Sequence, residues 1–158
     1  MKKFSLLLFL AMTITLLSAC GSSSSEGASS SEMMEVVEDY DIRFGNALDE
    51  ANQLLRNFSN SVDALYTTQQ SNEQFAQAMR ENIKKSSELV MALESHVAHA
   101  NIFPFHQEVI GYFNNQHQLF LNAIEMANTD RINKDNLRSE YIRLKQEQAE
   151  LINSWNNG

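Results

Sequence analysis

Residues 32–158 predict an all-α fold, an antiparallel up-down-up-down four-helix bundle behind a flexible N-terminal tether. Three observations carry that expectation. Apolar residues recur in alternating steps of three and four through four stretches, the spacing of one helix face. Helix breakers are scarce, with one proline in the chain and only Gly45 and Gly111 falling inside the periodic stretches. The intervening segments, near 67–70, 101–104 and 129–133, are short enough to turn each helix back on its predecessor. A pair of long hairpins that dimerise into a larger bundle is the competing arrangement.

The first helix is expected over 32–66. Met33, Val37, Tyr40, Phe44, Ala47, Ala51, Leu54, Phe58 and Leu65 form its stripe, broken at Ser61 and widened by Val36, Leu48, Leu55 and Val62. Ser29 followed by Glu32 has the spacing of a capping box. The second helix, 71–101, opens on a further capping box, Ser71 with Gln74. Its stripe is Ala76, Met79, Ile83, Ser86, Val90, Leu93, Val97 and Ala100. Pro104 ends it, because the residue before proline avoids helical geometry, and Asn101 is the candidate left-handed cap.

The third helix, 104–128, starts on proline, a residue suited to a first turn. Phe105, Val109, Tyr112 or Phe113, Gln116, Phe120, Ala123 and Ala127 line its inner face. Gly111 within it costs about 1 kcal/mol relative to alanine, which suggests a close helix approach or a kink. The fourth, 133–156, has Asn133 as N-cap and Leu137, Tyr141, Leu144, Gln148, Leu151 and Trp155 on its stripe. The first helix should be about 52 Å long and the fourth about 35 Å. The surplus must overhang, bend or find something extra to pack against.

Ahead of these helices the chain has a different character. Lys2 and Lys3 precede an apolar run from Phe4 to Leu17. That run is shorter than the about 20 residues that span a bilayer, and small residues follow it, as in a secretory signal. The stretch Leu17-Ser18-Ala19-Cys20 resembles the lipobox of bacterial lipoproteins. The resemblance implies a signal peptide over 1–19, cleavage before Cys20, and a diacylglyceryl group carrying chains such as palmitate on that cysteine. The protein would then be lipid-anchored on the outer face of the cytoplasmic membrane. Cys20 is the only cysteine, so no internal disulfide can form. Residues 20–31 are the expected tether: serine-rich and almost free of apolar side chains, they cannot bury enough surface to offset ordering. Gly21 and the serines are similar to Gram-positive lipoprotein spacers; in a Gram-negative host the same sequence would suggest the outer membrane.

The formal charge is −8, and loss of Lys2 and Lys3 makes it two units more negative. Nucleic acid is a poor partner for such a surface. No glycine-rich phosphate loop, G-x-S-x-G elbow or H-E-x-x-H pair occurs. No histidine follows a glutamate by three residues, as di-iron bundles require. The expectation is a non-enzyme without cofactors, working through an envelope or membrane protein partner.

Two surfaces stand out for such work. An up-down bundle gathers Met33, Val37, Tyr40, Phe103, Phe105 and Trp155 at one pole, a patch with the aromatic and methionine content of interface cores. The apolar turn 102–105 either plugs the core there or stays open for docking, and Phe103 or Phe105 should be partly exposed. His96, His99 and His106 lie near the same turn. They offer an alternative as a small-ligand or metal site if the rings converge, although their spacing matches no zinc motif. His117 falls at the edge of the core. Met33, Met34, Met79, Met91 and Met126 could suggest a pliable binding groove, but they are scattered over three helices, mostly on or beside the stripes, and read as core filling.

Overall fold

The computed structural model describes residues 30–157. The chain divides into two units, Met1–Met34 and Glu35–Gly158; of the first, only the opening turn of a helix is described. Cys20, the tether up to residue 29 and the Ser29 cap lie outside the described residues. Four helices follow: α1 (Ser30–Tyr66), α2 (Asn72–Glu94), α3 (Phe103–Asn128) and α4 (Lys134–Asn157). Among the described residues there is no strand, and no helix is long and apolar enough to cross a membrane.

The predicted stripe of α1 is its buried face from Tyr40 onward. Tyr40, Phe44, Ala47, Ala51, Leu54, Leu55, Phe58, Val62 and Leu65 are all buried, whereas Val37 is exposed. In α2 the capping box forms in full, Ser71 accepting from the Gln74 N–H and Gln74 from the Ser71 N–H. The inner face is turned slightly from the expected one. Phe75, Asn82 and Leu89 are buried and Ile83 is only half so. Asn82 is tolerated inside because its amide donates to the Leu54 carbonyl at 3.2 Å. Asn133 caps α4, its side chain accepting from the Asn136 N–H at 2.9 Å. Leu137, Leu144, Gln148 and Leu151 form the buried face of that helix.

Three expectations are corrected. Helix α2 ends at Glu94 rather than at residue 101. The Ser95 hydroxyl takes the Ala92 carbonyl, and its N–H reaches those of Met91 and Leu93, so the last turn is closed seven residues early. Val97, expected on the stripe, is consequently 92 % exposed. Asn101 is not left-handed; positive φ among non-glycine residues falls at Thr68 (57°) and Asp130 (52°). Gly111 is exposed, and a Cβ there would meet nothing within 4 Å, so close helix approach is not its purpose.

The two left-handed residues end α1 and α3 in the same way. The Gln69 N–H bonds the Ala64 carbonyl and the Arg131 N–H that of Met126, each the six-to-one bond of a Schellman turn. In both turns the preceding threonine, Thr67 or Thr129, folds its hydroxyl onto a carbonyl four residues back. The two turns meet: the Asn72 amide donates to the Asp130 carboxylate at 3.0 Å, and the Lys134 ammonium to the Leu65 carbonyl.

Four fully buried phenylalanines, Phe58, Phe75, Phe113 and Phe120, form the centre of the bundle with Leu55, Met79, Leu137 and Leu144. Burying each such side chain contributes about 1.5–3 kcal/mol. A polar layer crosses this core. Gln116 donates to the Ala51 carbonyl at 2.9 Å, and Lys145 bridges Asn52 and the Gln148 amide oxygen. Burial pushes the Lys145 ammonium below its ordinary value, as does the neighbouring Arg56 to a smaller degree.

Candidate functional site

The end of the bundle opposite the two Schellman turns is built from aromatic rings. Tyr40 and Phe44 enter it from α1 at a spacing of four, one turn apart on the same face. Pro104, in the first turn of α3, sets the direction of that helix, so Phe105 and His106 follow at once. Trp155 arrives from the last turns of α4. Phe105 packs edge-on against Phe44, with centroids 5.2 Å apart, and lies 4.8 Å from the Trp155 ring. Tyr40 touches Trp155, Phe105, His96 and His106. Such pairs contribute about 0.5–1.5 kcal/mol each beyond the area they bury.

Two of the rings are tied by polar atoms. The Trp155 indole N–H donates to the Asp41 carboxylate at 2.6 Å. The Tyr40 hydroxyl and His106 Nδ1 share a buried hydrogen bond of 2.9 Å. Burial raises the Tyr40 phenol well above its usual range, which keeps it protonated. His106 moves the other way: burial, and then the neighbouring His96, hold its imidazole below the ordinary value. It is therefore a neutral ring paired with a protonated phenol, and the tautomer of the ring sets which of the two donates.

The anticipated patch is thus split between inside and outside. Tyr40 is 4 % exposed and belongs to the core. Phe105, Trp155 and Met33 are half-buried. Phe103, at 51 %, and Val37, at 39 %, face outward. The plug in the apolar turn is Ile102, its first residue, 5 % exposed. Phe103 therefore has the exposure anticipated for one of the two phenylalanines, and its neighbour closes the core.

The histidines separate as well. His96 and His106 stand edge to face with centroids 5.8 Å apart. His99 turns back on its own loop, its Nδ1 accepting from the Asn101 N–H at 3.3 Å. Among the described residues no group of three or more His, Cys, Asp or Glu is placed to hold a metal ion. His117 is a helix–helix link at the edge of the core, sharing a 2.7 Å hydrogen bond with the Ser86 hydroxyl.

Beside His96 and His106 a cleft of about 220 Å³ opens between α1 and α2. Its walls are Phe44, Ala47, Leu89 and Leu93, with Arg43 and Glu50 among the residues at its edge. Arg43 is held by Asp39, four residues earlier, at 2.7 Å. That contact lowers the Asp39 carboxyl and raises the Arg43 guanidinium from their ordinary values. Nothing in the sequence announced the cleft. It is lined on the α2 side by Leu89, Ala92 and Leu93, inside the helix, with His96 just beyond its end.

No protein family, curated protein or solved structure matches the chain.

Proposed function

We propose that this protein is a lipid-anchored module of the bacterial envelope, held at the outer face of the membrane through Cys20 and acting by contact rather than by catalysis. The observation that carries the reading is the run Leu17-Ser18-Ala19-Cys20, in its place behind two lysines and a short apolar stretch. Two acyl chains, at about 0.8 kcal/mol per buried methylene, give stable attachment.

An up-down-up-down bundle is the fold in this reading. It is supported by the order of the cross-helix bonds. From one end of α1 to the other, Asp41, Asn52, Asp63 and Tyr66 meet Trp155, Lys145, Arg138 and Asp135 in falling order. Between α2 and α3, Asn72 and Ser86 meet Asp130 and His117 in the same sense. The partner is an envelope or membrane protein that takes up the exposed Phe103 and Val37, with acids such as Glu35 and Glu38 as the rim.

The test is metabolic labelling of the full chain with a fatty acid in a Gram-positive host. The wild type should carry label and partition into detergent, and Cys20→Ala should do neither. Label retained in Cys20→Ala, or none in the wild type, overturns the proposal.

A further inference from the structure

The cleft beside His96 points to a ligand class, whatever anchors the chain. A cleft of about 220 Å³ is below the size of a drug-like pocket but fits one aromatic ring or a fused pair. Its walls are apolar: Phe44, Ala47, Leu89 and Leu93. Its polar lining includes two imidazoles, His96 and His106, together with Asn46, Arg43 and Glu50. His106 Nδ1 is already engaged by the Tyr40 hydroxyl. His96 is half-buried; its ring is tilted against Tyr40 and edge to face with His106, and among the described residues no side-chain hydrogen bond ties it. A neutral imidazole carries one nitrogen that can only accept. In a half-buried position that acceptor is under-used, and a ligand donor is the group that would meet it.

Charge narrows the class further. Arg43 is engaged by Asp39 and Glu50 stands at the same edge, in a chain of formal charge −8. An anionic ligand gains little there. A metal ion lacks a third protein ligand, and His106 Nδ1 is occupied. What fits is an uncharged ring with one hydrogen-bond donor.

We infer that the cleft between α1 and α2 is a binding site for a small neutral aromatic molecule bearing a single hydroxyl or N–H, with His96 accepting that hydrogen and Phe44, Leu89 and Leu93 enclosing the ring. Phe44 and His96 provide edge and face contacts of the kind aromatic rings prefer. The site is open at Ala92, which is exposed and shared with a second groove of about 430 Å³ farther along the same two helices.

Phenol, toluene and benzoate are the probes, titrated into the full chain in detergent micelles with the histidine rings carbon-13 labelled. Phenol should move the His96 and His106 signals together, saturate, and leave His99 and His117 in place. Toluene should bind about tenfold more weakly, the usual value of one hydrogen bond, and benzoate more weakly than phenol. Ala92→Met, an exposed helical substitution that projects into the opening, should abolish saturable binding while thermal stability is kept. His96→Phe keeps a ring in place and should erase the preference of phenol over toluene. Equal binding of phenol and toluene to the wild type overturns the inference. So do benzoate binding tighter than phenol, unsaturated shifts at all four histidines, or a phenol preference that survives His96→Phe.

Discussion

The two ends of the bundle solve the same problem by different means. At one end the connections 67–71 and 129–133 are tight, repeat one Schellman geometry and are fastened by surface hydrogen bonds, Asn72 to Asp130 and Lys134 to Leu65. Tyr66 lies there, 39 % exposed, beneath the cations of Lys134 and Arg138. At the other end the single connection, 95–102, is irregular, and closure falls to side chains: Tyr40, Phe44, Ile102, Phe105 and Trp155. Backbone closure leaves little room for anything else. Side-chain closure leaves a cleft, two histidine rings in contact and exposed Phe103. The more loosely connected end is the one with chemistry to spare.

The largest test of that contrast is a matched pair of truncations. Phe44→Ala removes a buried ring from the aromatic end and should cost about 3–5 kcal/mol. Tyr66→Ala removes an exposed ring from the turn end and should cost less than about 1 kcal/mol, since surface cation and hydrogen-bond contacts are screened. Denaturant unfolding measures both. Similar costs at the two ends would remove the distinction between backbone and side-chain closure.

The turn end can also be improved, because its geometry is imposed on unsuitable residues. Thr68 has φ of 57° and is β-branched, a rare combination. Thr68→Gly should stabilise by about 1 kcal/mol. Asp130→Gly should give less, because aspartate tolerates this region better and Asp130 would give up the Asn72 bond. A loss of stability in Thr68→Gly would mean the threonine side chain contributes more than its backbone costs.

The gentlest perturbation is protonation. The His106 imidazole lies below its ordinary value of 6.5 when folded, so the unfolded chain binds its proton first. Its contribution to stability is complete above about pH 6.5 and declines as pH falls from there toward the folded value. Thermal melts between pH 8 and pH 5 should show this loss, and His106→Gln should flatten it. Asp39, Asp41 and Arg43 on α1, and Glu94, His96 and His99 at and beyond the end of α2, are other charged or titratable groups at this end, so a slope that persists in His106→Gln would come from groups other than His106.

What was legible in the sequence was local. The steps of three and four placed Tyr40, Phe44, Phe58, Leu144 and Leu151 inside, and the Ser71 and Asn133 caps were visible because their chemistry lies within three residues. The end of α2 was not visible, since no glycine or proline marks it and Ser95 closes the helix with bonds that any serine could make. Thr68 and Asp130 were equally hidden: neither residue type announces a left-handed cap. Asn82 escaped because its burial depends on a carbonyl 28 residues away. The Tyr40–His106 bond joins residues 66 apart, and the cleft next to it is bounded by three separate segments. Relations of that kind belong to the assembled tertiary structure and leave no periodic trace.

Trp155 gives the aromatic end one further property. It is the only tryptophan in the chain, and its ring lies 5.4 Å from Tyr40 and 6.0 Å from Phe44. Ultraviolet light absorbed by the indole is therefore emitted from one place alone, beside the histidine pair, and Tyr40 is close enough to pass its own excitation to it. The protein carries a native optical reporter at the end where its helices are least regularly joined, so any loosening of that end would change its colour and brightness without a dye or tag.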